Sequence, residues 1–290
     1  MAGTPSRDSR PTRGGMGPLG RRAIGWWLSF PRARGAAPGW NAGLKVPFVD
    51  EENRSEADAL LHYGGVGAVR LYETDRASGA LLLERLTPGL SLAAHPHVEE
   101  IVDIACGVLR RIWHPPHPGR PFPRVRDLAA EWADEFPARH DRHGRPFPAL
   151  VDCAAGLARD LAGGDGSEVV VNRDAHAGNI LSAEREPWLL IDPKPLVGER
   201  SFDAGYLVLD RLGEIPSPTR AEALVDRLAN GLGVERERVW AWAFVRAVEN
   251  AAWALDIDAS PAIHLAKATA LQHASSVTAT TPSAIPTPRC

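Results

Sequence analysis

The sequence predicts an α+β protein of two lobes, a small strand-rich one followed by a larger, mainly helical one. Short apolar runs separated by turn residues lie between Gly43 and Leu86, whereas helical periodicity dominates from His97 onward. Between them, Thr87-Pro88-Gly89 breaks both patterns and reads as a hinge. Within the helical part, one strand-loop-strand unit spans Val169 to Asp192.

Residues 1–42 are rich in Gly, Pro and Arg, show no clear period, and read as a poorly ordered or degraded segment. The small lobe is expected over residues 43–88. Gly43 to Phe48 reads as a strand, with Pro47 at an edge or end. Asn53 to Tyr63 reads as a helix, with Asn53 as N-cap, Glu56 at N3, and Gly64-Gly65 as its stop. Ala68 to Glu73 and Ala80 to Leu86 read as strands joined by a turn over Thr74 to Gly79.

The helical lobe is expected over residues 89–274. From His97 to His114, apolar residues at 98, 101, 102, 105, 108, 109 and 112 follow helical spacing. His114 to Arg124 carries five prolines and reads as a loop, which also removes His114 and His117 from the helical spacing that makes a metal pair. Helices are predicted over Val125 to Phe136 and Ala149 to Leu161, closed by Gly163-Gly164-Asp165-Gly166. After the strand-loop-strand unit come helices near 202–212, 218–231, 235–256 and 260–275. Trp240, Trp242, Phe244 and Trp253 in the third of these read as core. Residues 275–290 form a Ser/Thr/Pro/Ala tail expected to be disordered.

The 290 residues can bury a sizeable core, and 44% hydrophobic with 24% charged content marks a globular chain. The net charge of −3 conceals a polarity: residues 1–40 hold seven arginines and one aspartate, so the remainder is acidic. An acidic body suits a cationic or neutral small acceptor and argues against nucleic acid. The apolar run Ala23 to Phe30 is far shorter than the roughly 20 residues that span a bilayer, which argues against a membrane partner. Arg21-Arg22 resembles a twin-arginine export signal, but no small-residue cleavage site follows cleanly. Cys106, Cys153 and Cys290 are odd in number and distant, so no disulfide framework is expected and a cytoplasmic location is. Monomer and dimer are both compatible with the sequence.

The chemistry concentrates in Val-Val-Val-Asn172-Arg-Asp174-Ala-His176-Ala-Gly-Asn179 and the apolar run ending at Asp192. Asp174 can orient or deprotonate an alcohol; Asn179 and Asp192 offer hard oxygens to magnesium. Asp174 and Asn179 could instead be loop residues bonding their own backbone, but the strand before them and Ile191-Asp192 after them favour phosphoryl transfer. His176 reads as a brace for the loop. Lys45 lies in an apolar strand with Glu56 on the next helix, an arrangement that would hold nucleotide phosphates. An exposed lysine and a mere capping glutamate are the alternative.

These motifs, with Leu44-Lys45-Val46, Leu81-Leu-Leu-Glu84-Arg85-Leu86 and Glu186-Pro-Trp188-Leu-Leu-Ile-Asp192-Pro-Lys194, resemble the aminoglycoside/hydroxyurea antibiotic resistance kinases over roughly Gly43 to Gln272. The resemblance implies a protein-kinase-like fold and transfer of the ATP γ-phosphate to a hydroxyl, with ATP and Mg2+ as cofactors. It implies Asp174 as the catalytic aspartate, Asn179 and Asp192 as metal ligands, and Lys45 with Glu56 at the nucleotide phosphates. The backbone around Glu84 to Leu86 would meet adenine. The expected acceptor is an aminoglycoside such as streptomycin, whose cationic groups call for carboxylates; Glu199, Asp203, Glu249 and Asp256 are the candidates. The chain has Asn172-Arg173-Asp174 where members often show His-Gly-Asp, and residues 1–42 lack the expected strand pair and phosphate-covering loop. A small-alcohol biosynthetic kinase, an impaired pseudo-kinase, and a metal-dependent hydrolase using Asp174, His176 and Asp192 are the competing readings.

Overall fold

A computed structural model describes residues 28–30, 42–46, 55–119 and 121–276. The small lobe is a four-stranded antiparallel sheet in the order β1-β2-β4-β3: β1 Leu28–Phe30, β2 Ala42–Lys45, β3 Leu71–Asp75 and β4 Ala80–Glu84. Helix α1, Glu56–Tyr63, crosses beside it and ends on Gly64 in the left-handed conformation, where a residue without Cβ costs least. The register sets Lys45 opposite Leu81 and Gly43 opposite Leu83, which places Lys45 at the end of the central strand pair.

Several boundaries differ from the sequence reading. The first differences lie around the small sheet. A strand, β1, lies within residues 1–42; three residues before Pro31 are too few for periodicity to reveal. Apart from Ala42, the rest of that segment lies outside the described residues, as do Asn53 and the tail beyond Ser276. Strand β3 starts at Leu71 because residues 68–69 pair elsewhere, Ala68 bridging Leu190 and Val69 N–H donating to Leu190 O at 2.9 Å.

The large lobe comprises α2 Ile101–Ile112, α3 Val125–Arg142, α4 Pro148–Ala162, α5 Ser201–Leu212, α6 Pro218–Leu232, α7 Arg236–Asp256 and α8 Ala262–Ser276. Helix α3 runs through Pro137 instead of ending at Phe136; Arg139 in its last turns is buried and bonded to Asp256 at 2.9 Å, so tertiary ion pairing overrides the local breaker. Two small ribbons carry the site: β5 Val169–Asn172 pairs with β8 Pro195–Gly198, and β6 Ile180–Ser182 pairs with β7 Trp188–Leu190. Cys106 is a buried free thiol. Among the described residues no helix is long and apolar enough to cross a membrane.

The lobes are joined by more than the linker. Arg185, on the β6–β7 turn, grips both carboxylate oxygens of Glu84 at 2.8 Å and reaches Gly65 O at 2.6 Å and Ala68 O at 3.0 Å. A half-buried guanidinium fork matched to one carboxylate and two carbonyls is a strong, directional contact. The linker itself is zipped onto β6, with Leu90 N–H donating to Ser182 Oγ at 2.9 Å and Ser182 N–H to Leu90 O at 2.9 Å.

Helices α5 and α7 approach so closely at Gly205 that an added Cβ would sit 2.6 Å from Trp242 Cβ and 2.8 Å from Ala243 N. Gly205→Ala is therefore expected to lower unfolding free energy by about 1–3 kcal/mol. Gly156→Ala in α4, where nothing lies within 4 Å, should instead raise it by roughly 0.5–1 kcal/mol. Urea denaturation of both variants checks the pair, and equal effects would contradict the tight α5–α7 crossing.

Candidate active site

Strand β5 delivers Asn172, and the chain then turns through Arg173 and Asp174 into a one-turn helix, Ala177–Asn179, before β6. Asn172 is fully buried and organises the turn: its Oδ1 accepts from Asp174 N–H at 3.2 Å and from Lys194 N–H at 2.8 Å. Arg173 N–H returns a bond to Lys194 O at 2.9 Å. Asn172 thus ties the segments around Asp174 and Lys194 together, a role available to an amide carbonyl in place of a histidine. The Arg173 guanidinium lies 5.9 Å from the Trp132 ring centroid, within the large lobe.

Asp174 Oδ1 accepts from the Tyr206 hydroxyl at 2.9 Å, and Oδ2 meets Asn179 Nδ2 at 3.3 Å and Lys194 Nζ at 3.4 Å. Burial drives its pKa upward, but Lys194, His176, the Tyr206 hydroxyl and Arg246 outweigh it and hold the carboxyl below the usual range. His176 braces the loop as expected, its Nδ1 accepting from Gly178 N–H at 3.0 Å. Pairing of Ile180 with Leu190, and donation from Ile191 N–H to Asn179 O at 2.8 Å, set Asn179 beside the chain that leads into Asp192. Asp192 takes a positive φ of 52°, a conformation Asp tolerates better than most residues.

Lys45 reaches across the lobes. Its ammonium donates to Glu56 Oε1 and Oε2 at 2.8 and 2.7 Å and to Asp192 Oδ1 at 2.7 Å, which engages all three donors. Lys45 and Glu56 are 5% and 1% exposed, so the alternative of a solvated lysine is excluded. Burial lowers the Lys45 pKa, and the two carboxylates more than reverse this, leaving it raised. Burial pushes the Glu56 carboxyl up to about 7 against the pull of Lys45.

Glu84 is less open than the sequence implies. Its N–H donates to Arg70 O at 2.8 Å and its carboxylate is held by Arg185. Leu86 follows β4 in the linker, its side chain packed against the core. The four carboxylates expected to greet a cationic acceptor are also engaged internally. Glu199 is bound by Arg238 and by Trp242 Nε1 at 2.8 Å, and Glu249 is buried 3.7 Å from Arg139. Asp256 joins Arg139 and His143, and Asp203 lies fully buried. Charge is visible in a sequence; the direction a carboxylate faces is not. Trp240, Trp242 and Phe244 are core.

Tyr206 and Asp210, which the sequence reading did not single out, complete the site with Asp203, which it named only as a carboxylate for the acceptor. On α5, Asp203, Tyr206 and Asp210 recur at i, i+3 and i+7, one helix face. Asp203 accepts from Asn172 N–H and Trp113 Nε1, each at 2.8 Å; Tyr206 bonds Asp174; Asp210 Oδ2 accepts from Ala177 N–H at 3.0 Å. One face of one helix therefore grips the loop at its start, its aspartate and its end. The polar stripe in an otherwise apolar helix, Ser-Phe-Asp-Ala-Gly-Tyr-Leu-Val-Leu-Asp, was the available signal.

Burial pushes the Asp203 carboxyl up to about 7 despite donation from Trp113 and Asn172, against about 4 in an unfolded chain. A raised folded-state value means a contribution to stability that is complete below about pH 4 and lost as pH rises through 7. Relative to Asp203→Asn, the wild-type denaturation midpoint should fall between pH 4.5 and 7.5; parallel curves would refute the shift. Asp203→Ala should cost about 1–3 kcal/mol for each of the two orphaned donors.

The sequence pattern of the aminoglycoside/hydroxyurea antibiotic resistance kinases matches residues 32–258. The chain is 32% identical over 230 residues to streptomycin 6-kinase of Streptomyces griseus, covering 76% of this chain and 73% of that one. It is 36% identical over 226 residues to hydroxyurea phosphotransferase of Kitasatospora aureofaciens, covering 76% and 64% respectively. In fold it is similar to a thermostable mutant of aminoglycoside phosphotransferase APH(4)-Ia, solved with AMP-PNP and hygromycin B (TM-score 0.60, 13% identity, 84% of this chain and 89% of that one). It is also similar to choline kinase LicA of Streptococcus pneumoniae (TM-score 0.56, 12% identity, 83% and 88%). The two-lobe architecture is thus protein-kinase-like, and the chain belongs to the aminoglycoside/hydroxyurea antibiotic resistance kinase family.

Proposed function

We propose that this protein is an ATP-dependent O-phosphotransferase acting on an aminoglycoside of the streptomycin class. The observation that carries the reading is the convergence of Asp174, Asn179 and Asp192 at the ends of β5, β6 and β7, with Lys45 reaching Asp192 from the other lobe.

The donor set fits magnesium. Asp192 presents a carboxylate, and Asn179 engages its amide nitrogen with Asp174, which leaves its oxygen for a hard cation. Magnesium commonly keeps waters and phosphate oxygens and takes only one or two protein carboxylates. Lys45, aligned by Glu56, is the cation for the nucleotide phosphates, and the backbone of the linker near Leu86 is the surface for adenine. Bound magnesium-ATP supplies the transferable phosphoryl group and neutralises the charge that develops on it.

Asp174 is ionised at neutral pH, so it can orient the acceptor hydroxyl and take its proton as the phosphoryl group is captured. Such a base contributes roughly 10²–10⁴-fold; the remainder of the acceleration comes from positioning and charge. Hydroxyurea is the second acceptor to consider. Its phosphotransferase is 36% identical, and the inward pairing of Glu199, Asp203, Glu249 and Asp256 removes the carboxylates first expected to select a cation.

Release of ADP from magnesium-ATP is expected with streptomycin, measured beside other aminoglycosides and hydroxyurea. Asp174→Ala should lower kcat by about 10²–10⁴-fold, and Lys45→Met should chiefly raise the ATP KM. Failure of every acceptor to lift ADP release above the rate in buffer would overturn the assignment.

A further inference from the structure

We propose that Tyr206 is a positioning residue that aims the Asp174 carboxylate, and that the buried Arg246 guanidinium holds Tyr206 in that role. The inference rests on the reading of Asp174 as the base that faces the acceptor hydroxyl.

Tyr206 is 7% exposed on α5, one turn beyond Asp203, and its hydroxyl donates to Asp174 Oδ1 at 2.9 Å. That contact is shorter than those to Oδ2, from Asn179 Nδ2 at 3.3 Å and Lys194 Nζ at 3.4 Å. His176 Nε2 stands 3.7 Å from Oδ1. Two cationic or potentially cationic groups therefore face the carboxylate from the loop and from the segment after β7. A directional hydroxyl bond on one oxygen opposes free rotation of the carboxylate toward Lys194, because hydrogen bonds favour one geometry where point charges do not.

The other face of the tyrosine explains a second oddity. Arg246 on α7 is 3% exposed, yet its Nε and Nη1 have no hydrogen-bond partner among the described residues. Its Nη2 donates to Arg173 O at 3.2 Å, and its guanidinium lies 4.2 Å from the Tyr206 ring centroid and 5.1 Å from that of Phe202. A cation on the face of an aromatic ring is attracted to the ring quadrupole, most strongly when desolvated. It thereby fixes the ring plane and draws electron density from the phenol, which strengthens the hydroxyl as a donor. Through Arg173 O the same guanidinium restrains the residue preceding Asp174. Arg246, Tyr206 and Asp174 thus form a line from α7 through α5 to the reacting carboxylate.

The test uses the full-length chain with magnesium-ATP and streptomycin, each variant normalised to its nucleotide-binding fraction. Tyr206→Phe keeps the ring and removes only the hydroxyl. It should lower kcat about 10- to 100-fold, as expected for a misaimed group, with ATP KM and melting temperature near wild type. Arg246→Met should lower kcat similarly, Arg246→Lys should restore part of it, and Tyr206→Phe/Arg246→Met should be no worse than the poorer single variant. A Tyr206→Phe enzyme with kcat within twofold of wild type, or kcat losses that multiply in the double variant, would overturn the proposal. Asp174→Ala run in parallel separates the two readings. If it is inactive while Tyr206→Phe is unimpaired, only the positioning role falls. If Asp174→Ala turns over normally, the base assignment falls and this proposal with it.

Discussion

The buried carboxylate of Asp203 is the contact on which the site is built. A fully enclosed carboxylate is costly unless donors meet it, and here Asn172 N–H and the Trp113 indole, from β5 and from just beyond α2, both do. That requirement pins the last residue of β5, where the loop begins, to the first turn of α5. With the helix rotation set, Tyr206 and Asp210 fall on the same face and reach Asp174 and Ala177. The close crossing at Gly205 then fixes α5 against α7. The loop inherits its shape from a helix that lies behind it.

A second constraint couples the lobes. Lys45 has its ammonium inside the protein, where it is stable only because Glu56 and Asp192 surround it. One partner is on the small lobe and the other on the large, so the ion triad records their closure. Arg185 adds a fork between the β6–β7 turn and Glu84 at the end of β4. Both contacts converge on segments next to the proposed nucleotide site, which places the interlobe stiffness where a phosphoryl donor has to be held.

The parts of the site that were legible before folding are those written in short, local spacing. Asp174 and Asn179 are five residues apart on one loop, and the apolar run into Asp192 follows them; the Lys45–Glu56 pair needed only one strand and one helix in succession. What was not legible depended on partners distant in the chain. Helix α3 continues past Pro137 because Arg139 finds Asp256. Strand β8 forms because β5 offers it a ladder, and Ala68 leaves β3 to bridge Leu190. Glu199, Asp203, Glu249 and Asp256 have the charge to attract a cation, but their partners turn them inward.

By itself, the sequence determined the two-lobe α+β order, the helix periods, and the residues proposed as the reacting set, because periodicity and short motif spacing are properties of consecutive residues. Tertiary structure alone decided which buried groups distant in the chain meet. It brought Lys45 to Asp192 across 147 residues, Arg185 to Glu84 across 101, and Tyr206 to Asp174 across 32. The physical reason is that a charge or hydroxyl taken from water must be satisfied by whatever group packing places beside it. No local pattern names that group.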